Sequence, residues 1–308
     1  MPLTDCAETR EMLQHLFPGI LFASNVKPSG QRLVYFCSFC DTTEIEPQRK
    51  WVDWGEVVLK VSEGVHPAVI ARMEKERELL NELDSPYFPR LLHADVFSVD
   101  PVTDERFRNH LFITIEERVG GQTLQDCRPM FARESACAGL VARLVDGLKL
   151  LWNHPQRIIH RDLKPENILI RSNGVPVIID LGIVREEGTA GVTATHAPLG
   201  PCTPAYASPE QLKNEKRFIT YKSDFFSLGV IAYELLAGAN PFKPDPHEPM
   251  DLLVNRVVTL DPPTLFSLGR ASTRFSSLIE RLMAKEPYLR PRTVADLSRE
   301  LNAITGEM

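Results

Sequence analysis

The chain has 308 residues, 43% hydrophobic and 25% charged, with a formal net charge of -6. This is globular composition with enough length to bury a sizeable core, which excludes disordered and fibrous classes. The mild acidity argues against a nucleic-acid partner, and no uncharged apolar run approaches the roughly 18 residues of a membrane span.

The first residues, MPLTDCAETREMLQHLF, lack a basic start and an apolar core, so no signal peptide is expected. Six scattered cysteines fit a reducing, cytoplasmic setting. Cys37 and Cys40 form a C-x-x-C without a second ligand pair, and are read as two ordinary thiols.

In chain order, the runs 33–39, 56–61, 91–97 and 111–117 are β-branched and aromatic and predict strands. Between the second and third, residues 67–83 repeat with helical period. From about residue 134 helices dominate. Leu140, Val141, Leu144, Val145, Leu148, Leu151 and Trp152 make one long amphipathic stretch. Residues 168–180 read as two short strands around Asn173-Gly174, a strong hairpin signal. Residues 188–204 are a loop, and 223–238 are apolar all round, so that helix is expected to be buried. Trp51 and Trp54 lie in a long loop and are expected to pack against the lobe and shield it from solvent, docking of a partner being the alternative. The fold class is α+β: a small antiparallel-sheet lobe with one helix, then a larger helical lobe.

The chemistry concentrates in residues 160–167, HRDLKPEN. Asp162 and Asn167 lie five apart on a turn after the apolar pair Ile158-Ile159. The hairpin that follows folds back, so Asp180 returns close to Asn167. A carboxylate and an amide converging there suit Mg²⁺, which takes a few protein oxygens plus substrate phosphates. Asp162 is left as a proton acceptor.

These residues resemble the catalytic loop of eukaryotic-like Ser/Thr protein kinases of the bacterial type. His160 to Asn167 match H-R-D-L-x-x-x-N, Asp180-Leu181-Gly182 stand at D-F-G, and Ser208-Pro209-Glu210 stand at A-P-E. The resemblance implies a two-lobed kinase fold over 20–305, with an N-lobe of about 20–117, a C-lobe of about 121–305 and an N-terminal extension 1–19. It implies a serine/threonine kinase that uses ATP and Mg²⁺, with protein substrates and autophosphorylation, the latter by a dimer acting in trans. Asp162 would orient the substrate hydroxyl and take its proton, and Lys164 would neutralise the transferring phosphoryl group. Asn167 and Asp180 would hold Mg²⁺. Thr203 would bond the catalytic aspartate in the docking stretch TPAYASPE. Thr189, Thr193 and Thr195 are the candidate activation-loop phosphate acceptors, with Arg161 to receive the phosphate, plain loop threonines being the alternative. Glu210 and Arg290 would form a buried structural pair, and Asp224 would accept backbone bonds from the catalytic loop.

Lys60 is a lone lysine in the apolar run VVLKV, and Glu76 falls on the apolar stripe of helix 67–83. Two inward charges on neighbouring elements suggest an ion pair, the pairing that positions the α- and β-phosphates of ATP in this family. A lysine reaching out from a strand edge and a glutamate at a helix margin is the alternative. By position, Ile115 would face the base, the Glu116 carbonyl and Arg118 amide would bond its edge, and Val34, Val58 and Leu169 would sandwich the ring.

The Gly-rich loop is degenerate. With Val34 at its last position, the three glycine positions fall on Lys27, Ser29 and Arg32, and only Gly30 is a glycine nearby. That departure admits a pseudokinase, a nucleotide-binding scaffold without turnover. A small-molecule kinase of the aminoglycoside type shares the lobe plan, but Lys164 and TPAYASPE argue against it.

Overall fold

The computed structural model describes residues 4–29, 32–40, 44–46, 49–64, 71, 74, 77–79, 81–99, 106–180, 185–186, 202–243 and 249–306. The chain divides into two compact units, Met1–Val119 and Gly120–Met308.

Among the described residues the first unit holds a five-stranded antiparallel sheet. Its order is Ile20–Ser29, Arg32–Phe39, Val57–Gly64, Arg106–Glu117, Leu91–Val99. Side chains alternate across a strand, so odd and even positions take opposite faces. Leu33, Tyr35, Cys37, Val57, Leu59, Val61, Leu111, Ile113 and Ile115 fill one face and form the core. Helix Ala7–Leu16 supplies Leu13 to this core, followed by Phe17 and Ile20. Leu13 and Phe17, within the stretch 1–19 expected as an extension, therefore contribute to the unit's interior. Arg10 anchors the helix through a bidentate pair with Asp5, at 2.8 and 2.9 Å, and lies over the Phe22 ring. Trp54 packs edge-on against Phe39, and Cys37 is buried while Cys40 is exposed. The other face carries Val34, Val58, Lys60, Thr114 and Glu116, by the register Val34↔Lys60, Lys60↔Thr114 and Val58↔Glu116.

Of the helix expected over 67–83, residues 71, 74, 77–79, 81 and 82 are helical. Glu76 lies outside the described residues.

His93 pairs across the sheet with Ile115 and packs edge-on against Phe17 at 5.4 Å. Burial holds its imidazole below the ordinary value of 6.5, with the Asp95 carboxylate opposing the shift. The imidazole is neutral in the fold and free to protonate in the unfolded chain. The unfolded chain thus binds more protons below about pH 6.5, and stability falls as the pH drops through that range. The unfolding midpoint of wild type should therefore fall by a few degrees more than that of His93→Phe between pH 7.5 and pH 5.0, read by circular dichroism. Equal losses in both proteins would contradict this.

The second unit is mainly helical. Helix Glu134–Trp152 buries the face predicted from its period. It packs against helices Tyr221–Ala237 and Val294–Gly306. Helix Tyr221–Ala237 is buried along nearly its whole length, as its composition requires, and ends on Gly238 in the left-handed conformation, φ 83. A Cβ on Gly229 would lie 2.8 Å from both Leu282 Cβ and Met283 Cγ, so glycine permits the close approach of helix Thr273–Leu282. Strands Ile168–Ile170 and Pro176–Ile178 form the predicted hairpin, joined by Gln122–Thr123 as a third strand. Its turn closes through the Gly174 amide on the Arg171 carbonyl at 2.8 Å, with Gly174 at φ 78. Among the described residues no helix is long and apolar enough to cross a membrane.

Candidate active site

In the second unit the loop after strand Ile158–Ile159 is fixed from below. Asp224, fully buried near the start of helix Tyr221–Ala237, accepts the backbone amides of His160 and Arg161 at 2.9 Å each. It also accepts the Trp152 indole N–H at 2.8 Å. Burial pushes the Asp224 carboxyl up, against the pull of His160 and these donors. Arg161 takes a left-handed φ of 71, which costs a non-glycine residue roughly 1–2 kcal/mol. The Asp224 bonds and the Gln211 side-chain amide on the Arg161 carbonyl, 2.8 Å, hold it there.

Asp162 is next, 7% exposed. Lys164 Nζ donates to Asp162 Oδ2 at 2.8 Å, and the Thr203 amide donates to Oδ1 at 2.8 Å. Lys164 also donates to Thr203 Oγ1 at 2.8 Å. Asn167 Nδ2 donates to the Asp162 carbonyl at 3.0 Å and to Oδ2 at 3.3 Å. Asn167 thus spends its N–H groups on Asp162, which turns its amide oxygen to other use. The Ile179 amide donates to the Asn167 carbonyl at 2.9 Å, so the hairpin returns the chain to Asn167 one residue before Asp180. Asp180 has φ 66. Leu169 is half-buried in the hairpin opposite Val177 and Thr123. Leu181 and Gly182, like Thr189, Thr193 and Thr195, lie outside the described residues.

Residues 203–210 are tied down from a side the sequence reading missed. Glu234, buried in helix Tyr221–Ala237, accepts Tyr206 Oη at 2.7 Å and pairs with Arg128. Ser227 Oγ donates to the Tyr206 carbonyl at 2.9 Å. A glutamate inside the apolar run YELLAG was the available signal. Glu210 and Arg290 form a buried bidentate pair at 2.7 and 2.8 Å.

In the first unit Lys60 Nζ donates to both carboxylate oxygens of Glu116, at 3.0 and 2.8 Å. The side chains are 11% and 10% exposed. Val34 and Val58 lie half-buried on the same face. Two expectations for strand Arg106–Glu117 are corrected. Ile115 points into the core on the face opposite Lys60, because it pairs with Leu59, one residue away from the Lys60 register. The Arg118 amide donates to the Glu56 carbonyl at 3.0 Å and so continues the strand pairing instead of presenting a free donor. Glu116, named for its carbonyl, engages Lys60 through its side chain.

The sequence matches the model of the protein kinase domain over residues 56–300. It is 28% identical over 240 residues to a probable serine/threonine-protein kinase of Clostridium perfringens, covering 77% of this chain and 32% of that protein. It is 34% identical over 155 residues to the serine/threonine-protein kinase PknL of Mycobacterium tuberculosis, 50% of this chain and 37% of that protein. A probable serine/threonine-protein kinase PknB of Bifidobacterium longum is 26% identical over 234 residues, 75% of this chain and 33% of that protein. The chain spans about a third of the length of these curated relatives. On a family match that takes in both the strand of Lys60 and the loop of Asp162, the chain belongs to the protein kinase domain family.

Proposed function

We propose that the chain transfers the γ-phosphoryl group of Mg-ATP to serine and threonine hydroxyls of proteins, its own among them. The observation that carries this reading is the cluster in which Lys164, Thr203 and Asn167 all bond Asp162. Three donors keep the Asp162 carboxylate oriented, so it can accept a hydroxyl proton as the oxygen attacks. Lys164 stands within reach of both Asp162 and Thr203 and would offset charge on the transferring group. Thr203, fixed to the loop, would set the height at which a substrate segment docks.

The donor set fits a magnesium ion. The Asn167 amide oxygen and the Asp180 carboxylate would offer hard oxygens to it, and the hairpin brings their backbones together. Asn167 and Asp180 would hold Mg²⁺, which would supply positive charge to offset that of the phosphates. Lys60 would supply the cation for the α- and β-phosphates, with Val34, Val58 and Leu169 as apolar contacts for the base. Catalysis in such a site is chiefly positioning and electrostatics.

The test is transfer of label from γ-labelled ATP to a mixed Ser/Thr peptide library by the purified chain. Label should appear on serine or threonine with Mg²⁺ present and fall at least about a hundredfold when the metal is chelated. Transfer unaffected by chelation, or label only on small-molecule acceptors, would refute the proposal.

A further inference from the structure

Glu116 is a carboxylate on the sheet face opposite the first unit's apolar core, at least as buried as the lysine it meets. Val58 is its direct cross-strand partner and Lys60 pairs with Thr114, so Glu116 and Lys60 are diagonal neighbours on one face. A carboxylate in that position needs a compensating cation. Arg118, two residues on, is committed elsewhere: its guanidinium pairs with Glu56 at 2.9 Å and lies 5.0 Å from the Phe36 ring centre. Lys60 is the cation that Glu116 receives, with both oxygens engaged.

We infer that Glu116 is a positioning residue for Lys60, and that its carboxylate competes with a nucleotide phosphate for the lysine's charge. The inference rests on the reading of Lys60 as the phosphate-gripping cation. An ammonium has three hydrogens, and Glu116 takes two of them. Among the described residues Lys60 bonds Glu116 alone, so a phosphate approaching it meets a neutral pair and the negative charge of the carboxylate itself. Nucleotide binding therefore draws the amine partly away from Glu116. The Thr114 hydroxyl, buried beside Lys60 with no partner among the described residues, adds a second polar group to this face.

The experiment compares Mg-ADP binding by calorimetry in the full chain, in Glu116→Gln and in Glu116→Asp. Glutamine keeps the shape and one acceptor oxygen but deletes the charge. It should tighten the Mg-ADP dissociation constant roughly fivefold, as expected on removing one repelling charge beside an anionic ligand. Aspartate keeps the charge and should stay within about twofold of wild type. An unchanged or weaker constant for Glu116→Gln would overturn the inference, even with a lowered unfolding midpoint, because that pattern is the signature of a purely structural pair. No nucleotide binding by wild type would instead defeat the reading of Lys60. In that event a stability cycle of Lys60→Met, Glu116→Gln and the double variant still tests the pair. Non-additive effects would uphold it and additive effects would overturn it.

Discussion

Replacing Asp162 by alanine is expected to lower the proposed phosphotransfer by about a thousandfold or more, because it removes the group assigned here to accept the hydroxyl proton. It also removes the acceptor shared by Lys164 Nζ, the Thr203 amide and the Asn167 side chain. The loss should therefore exceed that of a lone base. The fold should persist, since the loop is anchored separately by Asp224 beneath His160 and Arg161. The variant should keep its circular dichroism spectrum and its affinity for Mg-ADP while losing label transfer. Asp162→Asn is the sharper form, because it keeps the size and an acceptor oxygen yet cannot take a proton. Wild-type transfer in either variant would show that the base has been misassigned.

The largest effect on stability is expected at Arg290. Its guanidinium is completely buried and donates to both Glu210 oxygens, to the Lys222 carbonyl at 2.8 Å and to the Ala284 carbonyl at 2.9 Å. Ser223 adds a hydroxyl donor to Glu210 at 2.7 Å. Burial alone would push the Glu210 carboxyl up, but Arg290 and Ser223 outweigh it and hold the group below its ordinary value. Arg290→Ala leaves that carboxylate buried without its cation, a cost of about 3–5 kcal/mol. For a unit of this size the unfolding midpoint should fall by roughly 10 °C. Replacing both partners, Glu210→Leu with Arg290→Met, should recover much of the loss because no unpaired charge remains. A midpoint for Arg290→Ala within a degree or two of wild type would contradict the account.

The sequence made the second unit legible because its signals are local. Helix Glu134–Trp152 repeats with one period over its whole length, and Asn173-Gly174 demands a tight turn. The apolar run ending at Gly238 has no face to offer solvent. The polar residues of HRDLKPEN lie close enough in sequence that a single loop brings Asp162, Lys164 and Asn167 together.

The first unit was harder for a physical reason. Helix Ala7–Leu16 is short and mostly polar, and only Leu13, with Phe17 beyond it, signals burial. Strand Ile20–Ser29 contains an irregular register between Phe22 and Val26, which breaks the alternation that would have revealed it. Strand Arg106–Glu117 was recognised, but a shift of one residue exchanges its faces. That is why Ile115 was expected where Glu116 stands. The glutamate was itself the clue, as a charge in an apolar strand facing the equally anomalous Lys60.

The central claim is that the chain catalyses phosphoryl transfer to hydroxyl side chains, and mapping covalent phosphate after incubation with Mg-ATP tests it most directly. The purified chain and its Asp162→Ala variant would be incubated in parallel and analysed by mass spectrometry. The account predicts phosphate on serine or threonine in the wild-type chain and none in the variant. A wild-type chain that binds Mg-ADP but leaves both itself and the Ser/Thr peptides unmodified would contradict it and identify a nucleotide-binding protein without turnover.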